Sequence, residues 1–351
     1  MRPRPEERVL SERALNRALL ARQHLLERVA GPLSRAIERV GGLQTQYAPA
    51  GYIALRSRME DFERDDLTRA LERKQVVQAW MMRSTIHMAS RRDFWSFVTA
   101  VRRARRDGWS RAWKRTAADG VEAAARVERF LADGPRRRAE IVKELGLDSG
   151  MWYGACLWVD LVRVPPSGTW ERPRADLFGL ARDWLGEPPD LSEVRAVAHL
   201  VRRYIGAFGP AAPADIASWS GLAPTTVTAA LGAMRLRRFR DERGGELVDL
   251  PRAPLPDPET PAPVRFLGVW DAMLLAHARR TQVLPDRHRS RVFNTKTPQS
   301  VNTFLVDGRV AGSWRHEDGR IALDPFERLS RGDRRALDEE AAFMTVLYED
   351  A

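Results

Sequence analysis

Two glutamines separated by one residue, Gln44 and Gln46, stand in the stretch Gly41-Gly42-Leu43-Gln44-Thr45-Gln46-Tyr47-Ala48-Pro49. In an extended run side chains alternate, so both carboxamides would share one face while Thr45 points oppositely. On a helix the pair would diverge. Two amides facing one spot can hold a water through their carbonyl oxygens, or touch a base edge or a phosphate through their NH2 groups. The same spacing also describes polar loop residues that cap the next helix.

The elements around this stretch decide between those readings. Gly41 and Gly42 can take positive φ and end the amphipathic segment before them, and Pro49 is expected to keep Ala48 out of the α region. Residues 6–30 carry a helical apolar pattern ended by Gly31-Pro32, and Pro32 opens a short helix through Val40. A further helix is expected over residues 50–59, then one over 66–75 with Asp65 as its N-cap. Val76-Val77-Gln78-Ala79-Trp80 and Thr85-Ile86-His87-Met88-Ala89 follow as two β-prone runs. Helices followed by such a hairpin make a winged-helix unit, assigned to residues 1–92.

The order returns twice. Residues 93–190 contain helical segments at 93–106, 121–132, 139–145 and 150–161, then Val162-Arg163-Val164 and a turn at 165–168. Residues 191–250 show it most clearly, with Ser192 capping a helix to Ala207, Pro213 and Pro224 opening two more, and a hairpin around Gly244-Gly245. Six prolines between 251 and 263 suggest a stiff linker. Residues 264–351 hold short strand candidates at 266–270, 292–293, 303–306, 310–314 and 321–323, with Asp307-Gly308 as a hairpin signal and a helix at 333–344. The expected fold is therefore α+β, mainly α, with three tandem winged-helix units followed by a small C-terminal β-barrel-like domain.

Composition narrows the function classes. The 351 residues hold 58 Lys+Arg against 47 Asp+Glu, a formal charge of +11 that favours a polyanionic partner such as nucleic acid. The positive residues are nearly all Arg, with Lys only at Lys74, Lys114, Lys143 and Lys296, a bias that GC-rich codon usage also produces. Cys156 has no intrachain partner, so disulfides are not expected and a reducing interior is. The six histidines never fall at ligand spacing with Cys or one another. No metal and no cofactor are expected. No Walker loop, dinucleotide fingerprint or HExxH occurs. No run approaches the ~20 apolar residues of a membrane helix, which points to a cytoplasmic protein.

Other residues invite a binding role. Arg83, Ser84 and His87 lie on or beside the first hairpin, where they can contact phosphate or sugar, although His87 can equally satisfy a core hydrogen bond. Asp271 and His277 flank Ala272-Met273-Leu274-Leu275-Ala276, and Asp271 also suits an N-cap. The polar loop 294–302, with Lys296, Thr297 and Gln299, can probe a groove or stay disordered. The run Arg102-Arg103-Ala104-Arg105-Arg106, near Trp109 and Trp113, reads as a phosphate track or as a solvated face.

Taken together, Gly42-Leu43-Gln44-Thr45-Gln46, Arg83-Ser84-Thr85-Ile86-His87, Asp271 to His277 and Phe304-Leu305-Val306-Asp307-Gly308-Arg309-Val310-Ala311-Gly312 resemble the AlkZ and YcaQ family of bacterial DNA glycosylases over nearly the whole chain. In that family two polar residues one apart hold the catalytic water, and the double glutamine here is similar to one of its branches. Thr45 departs from the apolar residue usual between them. The resemblance implies a monofunctional glycosylase acting on cationic N7-alkylguanine in double-stranded DNA, including bulky natural-product adducts or interstrand crosslinks, with roles in base-excision repair and self-resistance. It implies Gln44 and Gln46 as catalytic residues. DNA contacts are then expected from Arg83, Ser84, His87, Arg163, Arg237, Arg238, Asp271, His277, Lys296, Thr297 and Gln299, with a monomer as the working form. A non-catalytic winged-helix regulator and a drug-sequestering scaffold are the competing readings.

Overall fold

A computed structural model describes residues 7–173, 176–293 and 300–349. Ser90, Asp148 and Ser192 each accept a hydrogen bond from the backbone amide three residues on, opening the helices Arg91–Trp113, Ser149–Trp158 and Glu193–Phe208. Gly221, at φ +77°, closes the helix Pro213–Ser220.

One order of elements recurs. Leu33–Arg39, Leu43–Gln44, Pro49–Arg58, Arg64–Glu72, Val76–Trp80 and Ile86–Ser90 run helix, short strand, helix, helix, hairpin. Ala117–Phe130, Arg136–Arg137, Arg138–Glu144, Ser149–Trp158, Leu161–Arg163 and Leu177–Leu180 repeat it. In the third copy Glu193–Phe208 leads to a bridge between Ala211 and Val248, then to Pro213–Ser220, Pro224–Gly232, Arg237–Asp241 and Glu246–Asp249.

The first two copies fuse into one antiparallel sheet. Its strand order is 43–44, 86–90, 76–80, 161–163, 177–180, 136–137, and the joint between copies is the pairing of Gln78 with Arg163. The third hairpin stands apart and takes Val9–Leu10 as a parallel third strand. That strand shortens the N-terminal helix, expected across 6–30, to Glu12–Arg22.

The C-terminal sheet is an open meander, not a barrel. Its order is 265–267, 303–306, 309–317, 320–325, and the outer strands do not pair with each other. Helices do the covering that closure would have done. Pro49–Arg58 and Arg331–Thr345 bury Phe266, Phe304 and Trp314 against Tyr52, Ile53, Leu337 and Met344. Asp307 and Gly308, both at positive φ, make the two-residue turn between Val306 and Arg309. Val292, expected in a strand, instead ends the short helix Arg289–Val292, and Phe293 bridges Ser300.

Two local expectations also change. Glu63, not Asp65, caps Arg64–Glu72, because the Asp66 carboxylate accepts from the Glu63 amide at 2.9 Å. Ala48 is α-helical (φ −56°, ψ −44°) despite the proline after it. A tight turn, with Tyr47 O accepting from Ala50 N at 3.1 Å, and the complete burial of Ala48 offset the steric preference.

The proline-rich segment after residue 250 lies against the body of the protein. Proline supplies carbonyls without donors, and arginine supplies donors without acceptors. Arg22 Nη2 donates to Pro254 O at 2.8 Å, Arg237 Nη2 to Ala253 O at 2.9 Å and Arg17 Nε to Thr260 O at 2.6 Å.

Candidate active site

Gly41 and Gly42, at φ +81° and +84°, turn the chain from the helix Leu33–Arg39 into the glutamine strand. Neither position tolerates a side chain, since an added Cβ would lie 3.0 Å from Ala207 Cβ at one and 3.1 Å from Met88 O at the other. The strand then pairs Leu43 with Met88 and Gln44 with His87, and Thr45 N donates to Ile86 O at 2.8 Å. Gln44 is half-buried, Thr45 fully buried and Gln46 exposed. The alternation expected of an extended run is present.

Each carboxamide is oriented by a group that can only donate. Arg83 Nη2 reaches Gln44 Oε1 at 3.3 Å, and the Ile86 backbone amide reaches Gln46 Oε1 at 3.0 Å. Both oxygens are thereby fixed, and each keeps a second lone pair for a water or a sugar. The cation belongs to a strained turn. Arg83 and Ser84 take φ +52° and +57°, a backbone region that costs non-glycine residues energy and persists where surrounding contacts hold it. Here Arg83 Nη1 donates to Trp219 O at 2.7 Å, tying the first hairpin to the third copy.

Behind the strand runs a buried polar chain. Arg163 Nη1 donates to Thr45 O at 3.2 Å and to Gln78 Oε1 at 3.0 Å, and Gln78 Nε2 donates to Gly168 O at 2.8 Å. Burial lowers the Arg163 pKa to about 10. Arg163 is thus a prop for the glutamine strand and not a phosphate contact, because its guanidinium faces inward and is buried. Gln78 reads from sequence only as part of a β-prone run. Its signal was available as a lone polar residue inside the apolar run Val76 to Trp80.

His87 sits beside Gln44 but is 3% exposed, with Nδ1 at 3.0 Å from Thr85 O. Burial, helped by the charges of Arg83 and Arg105, lowers its pKa to about 3. It is a neutral core histidine, not a DNA contact. Asp271 and His277 are also internal. Asp271 makes a bidentate pair with Arg58 at 2.8 and 2.9 Å, both side chains 1% exposed, and caps Met273 N at 3.0 Å. His277 Nδ1 lies 3.4 Å from Asp215 Oδ2, and Ala278 N donates to Asp215 Oδ1 at 2.8 Å. These pairs clamp the segment 271–278 to the first and third copies.

That clamped segment delivers Arg280, also missed from sequence. Its guanidinium lies 4.9 Å from the Phe293 ring, and burial together with Arg289 and Arg83 lowers its pKa. Among the described residues neither Arg83 nor Arg280 is in an ion pair; Arg83 touches Gln44, and Arg280 lies close enough to Arg83 for the two charges to act on each other.

The remaining expectations are scattered. Ser84 is exposed at the turn. Arg237 is paired with the buried Asp249, and Arg238 with Glu246, both on the third hairpin. The arginine run on the long helix is largely tied down, with Arg102 on Asp160, Arg103 on Glu193, Arg105 on Trp80 O and Arg106 on Leu157 O. Lys296, Thr297 and Gln299 lie outside the described residues. Among those described, no helix is long and apolar enough to cross a membrane.

Among the described residues no carboxylate or imidazole is hydrogen-bonded to either glutamine side chain. Oriented amide oxygens can position a water and stabilise developing positive charge, and the flanking cations can hold an anionic backbone, but neither carries a proton at neutral pH.

Comparison with known proteins bears on that chemistry. Residues 37–345 match a family model described as DNA glycosylase AlkZ-like. An interstrand DNA cross-link repair glycosylase from Streptomyces sahachiroi is 24% identical over 357 residues, covering 92% of each chain. The solved structure of Streptomyces sahachiroi DNA glycosylase AlkZ superposes with a TM-score of 0.81 at 21% identity, covering 97% of each chain.

Proposed function

The chain belongs to the AlkZ-like family of DNA glycosylases, and from that premise we propose that it hydrolyses the N-glycosidic bond of cationic N7-alkylguanine, with Gln44 and Gln46 aiming the water. The observation that carries this reading is that both amide oxygens are held by donors, Arg83 and the Ile86 amide, and that among the described residues no carboxylate or imidazole is hydrogen-bonded to them. A guanine alkylated at N7 already bears positive charge and leaves as a neutral base. It needs no strong general acid. What it does need is a water held at C1′ and partial negative charge beside an oxocarbenium-like sugar, and two carbonyl oxygens supply both. Neutral, unactivated bases should be poor substrates for the same reason.

The three recurring units, 1–92, 93–190 and 191–250, are read as winged helices that surround the duplex together with the segment 251–263 and the unit 264–351. Arg83 and Arg280 are read as the cationic wall for the backbone, and Lys296, Thr297 and Gln299 as further DNA contacts. The name of the Streptomyces relative extends the substrate class to interstrand crosslinks. An open cleft suits such lesions better than a closed base pocket, because a tethered base cannot be fully extruded. The enzyme is taken to act as a cytoplasmic monomer.

The test is base release from a duplex carrying one N7-methylguanine, followed as free base and as alkali-labile abasic sites. Wild type should release base, and Gln46→Ala and Gln44→Ala should each slow it by about 10²-fold to 10³-fold, the cost of removing one preorganised polar group. Release that survives both substitutions ends the catalytic assignment.

A further inference from the structure

Away from the glutamines, the chain forms an open cavity of about 650 Å³ between the helices Leu33–Arg39 and Glu193–Phe208. Its charge is unbalanced. Glu38 is the one carboxylate in the lining, and it is engaged by Arg35 and Arg203. Arg203 and His199 also share Asp93, and Arg22 is matched by buried Asp249. Arg39, Arg92 and Arg202 remain, all exposed on the rim and, among the described residues, in no ion pair. The apolar part of the lining, taken as its floor, is Ala21, Gly206 and Leu250.

His24 also lines the cavity, and burial with the charges of Arg39 and Arg58 lowers its pKa to about 4. The imidazole is therefore neutral at pH 7 and leaves the arginines as the charge of the lining. The cavity is also separate from the glutamine site. None of Gln44, Gln46, Arg83 and Arg280 is among the residues that line it.

We propose that this cavity is a second anion site that takes a phosphate ester, with Arg39, Arg92 and Arg202 on the phosphate oxygens and the apolar floor under the sugar. Guanidinium forks match phosphate geometry, and three that line one cleft without a carboxylate partner leave it with excess positive charge for an anion. The ester is either a phosphodiester of the DNA strand beyond the lesion or a free nucleotide. The first source rests on the DNA reading above, whereas the second does not.

The experiment compares wild type with Arg39→Ala/Arg202→Ala, and with Arg334→Ala/Arg335→Ala as a control that removes the same charge from the C-terminal helix. Thermal midpoints confirm that all three fold. Anisotropy with an undamaged duplex across a salt series reads the DNA arm, and calorimetric titration of deoxyguanosine monophosphate and of inorganic phosphate reads the free arm. A backbone site predicts that only the cavity variant loses slope in log K against log salt, by about 0.9 for each lost phosphate. A nucleotide site predicts saturable monophosphate binding in wild type and control that the cavity variant loses. The proposal is overturned if the cavity variant matches wild type in both arms, or if the control changes equally. Absent base release from alkylated DNA would remove the catalytic reading and leave this result standing.

Discussion

The first and third hairpins follow the same order of elements and yet present opposite surfaces. Val76–Trp80 and Ile86–Ser90 lie near the centre of a six-stranded sheet, where every residue but Trp80 is buried and the polar side chains serve the glutamine strand. Arg237–Asp241 and Glu246–Asp249 form a small sheet of their own with only Val9–Leu10 added. Their arginines are spent on Asp249, Glu246 and the carbonyls of the proline-rich segment. A hairpin's neighbours in the sheet therefore decide whether its polar residues face a ligand, the core or their own partners. The motif alone does not.

That contrast yields graded consequences. Asp249→Ala in the third hairpin should cost the most stability, because it leaves Arg22 buried without its partner, and urea unfolding should show a loss of about 3–5 kcal/mol. A loss below 1 kcal/mol would mean that this hairpin does not brace the fold. In the first hairpin, Arg83→Met should act mainly on rate. Removing a charged donor from Gln44 Oε1 should cost about 1.5–3 kcal/mol, or roughly 10-fold to 100-fold in single-turnover base release.

The pH dependence separates the two hairpins again. His87, with a folded pKa of about 3, stays neutral in the native state while the unfolded chain takes up a proton below pH ~6.5. Its contribution is thus fully present above the unfolded value and is lost as pH falls towards 3, at about 1.4 kcal/mol per pH unit. His24, lowered to about 4, adds to the same slope. His87→Gln should flatten stability against pH between 6 and 4, and Arg238→Ala should leave that slope as it is. An unchanged slope in His87→Gln would place the histidine in solvent.

Smaller effects follow. Thr45 Oγ1 is buried with no hydrogen-bond partner, so Thr45→Val should stabilise the fold by about 1 kcal/mol and leave base release intact. A rate loss would give the hydroxyl a part in the chemistry. Arg238→Ala removes only an exposed pair with Glu246 and should change stability by less than about 1 kcal/mol.

Much of this was legible in order along the chain. Gly41 and Gly42 announced the turn into an extended Gln-Thr-Gln run, capping residues marked the major helices, and Asp307-Gly308 marked its hairpin. The residue roles were less legible. Asp271, His277, His87 and Arg163 looked like ligand contacts because polar residues in apolar surroundings carry the same signature whether they face a cleft or a buried partner. Their partners Arg58, Asp215, Thr85 and Thr45 lie tens to hundreds of residues away except for Thr85, and nothing local announces such pairings.

Periodicity, glycine and proline placement, and capping chemistry act over a few residues, so the chain order specified the helices, the hairpins and the extended run that carries Gln44 and Gln46. Burial and ion pairing depend on what packs opposite, which is settled when distant segments meet. Only that meeting gave Arg83 and Gln78 their positions around the glutamines, brought Arg280 alongside, opened the barrel into a helix-covered sheet, and left Arg39, Arg92 and Arg202 without a counter-charge.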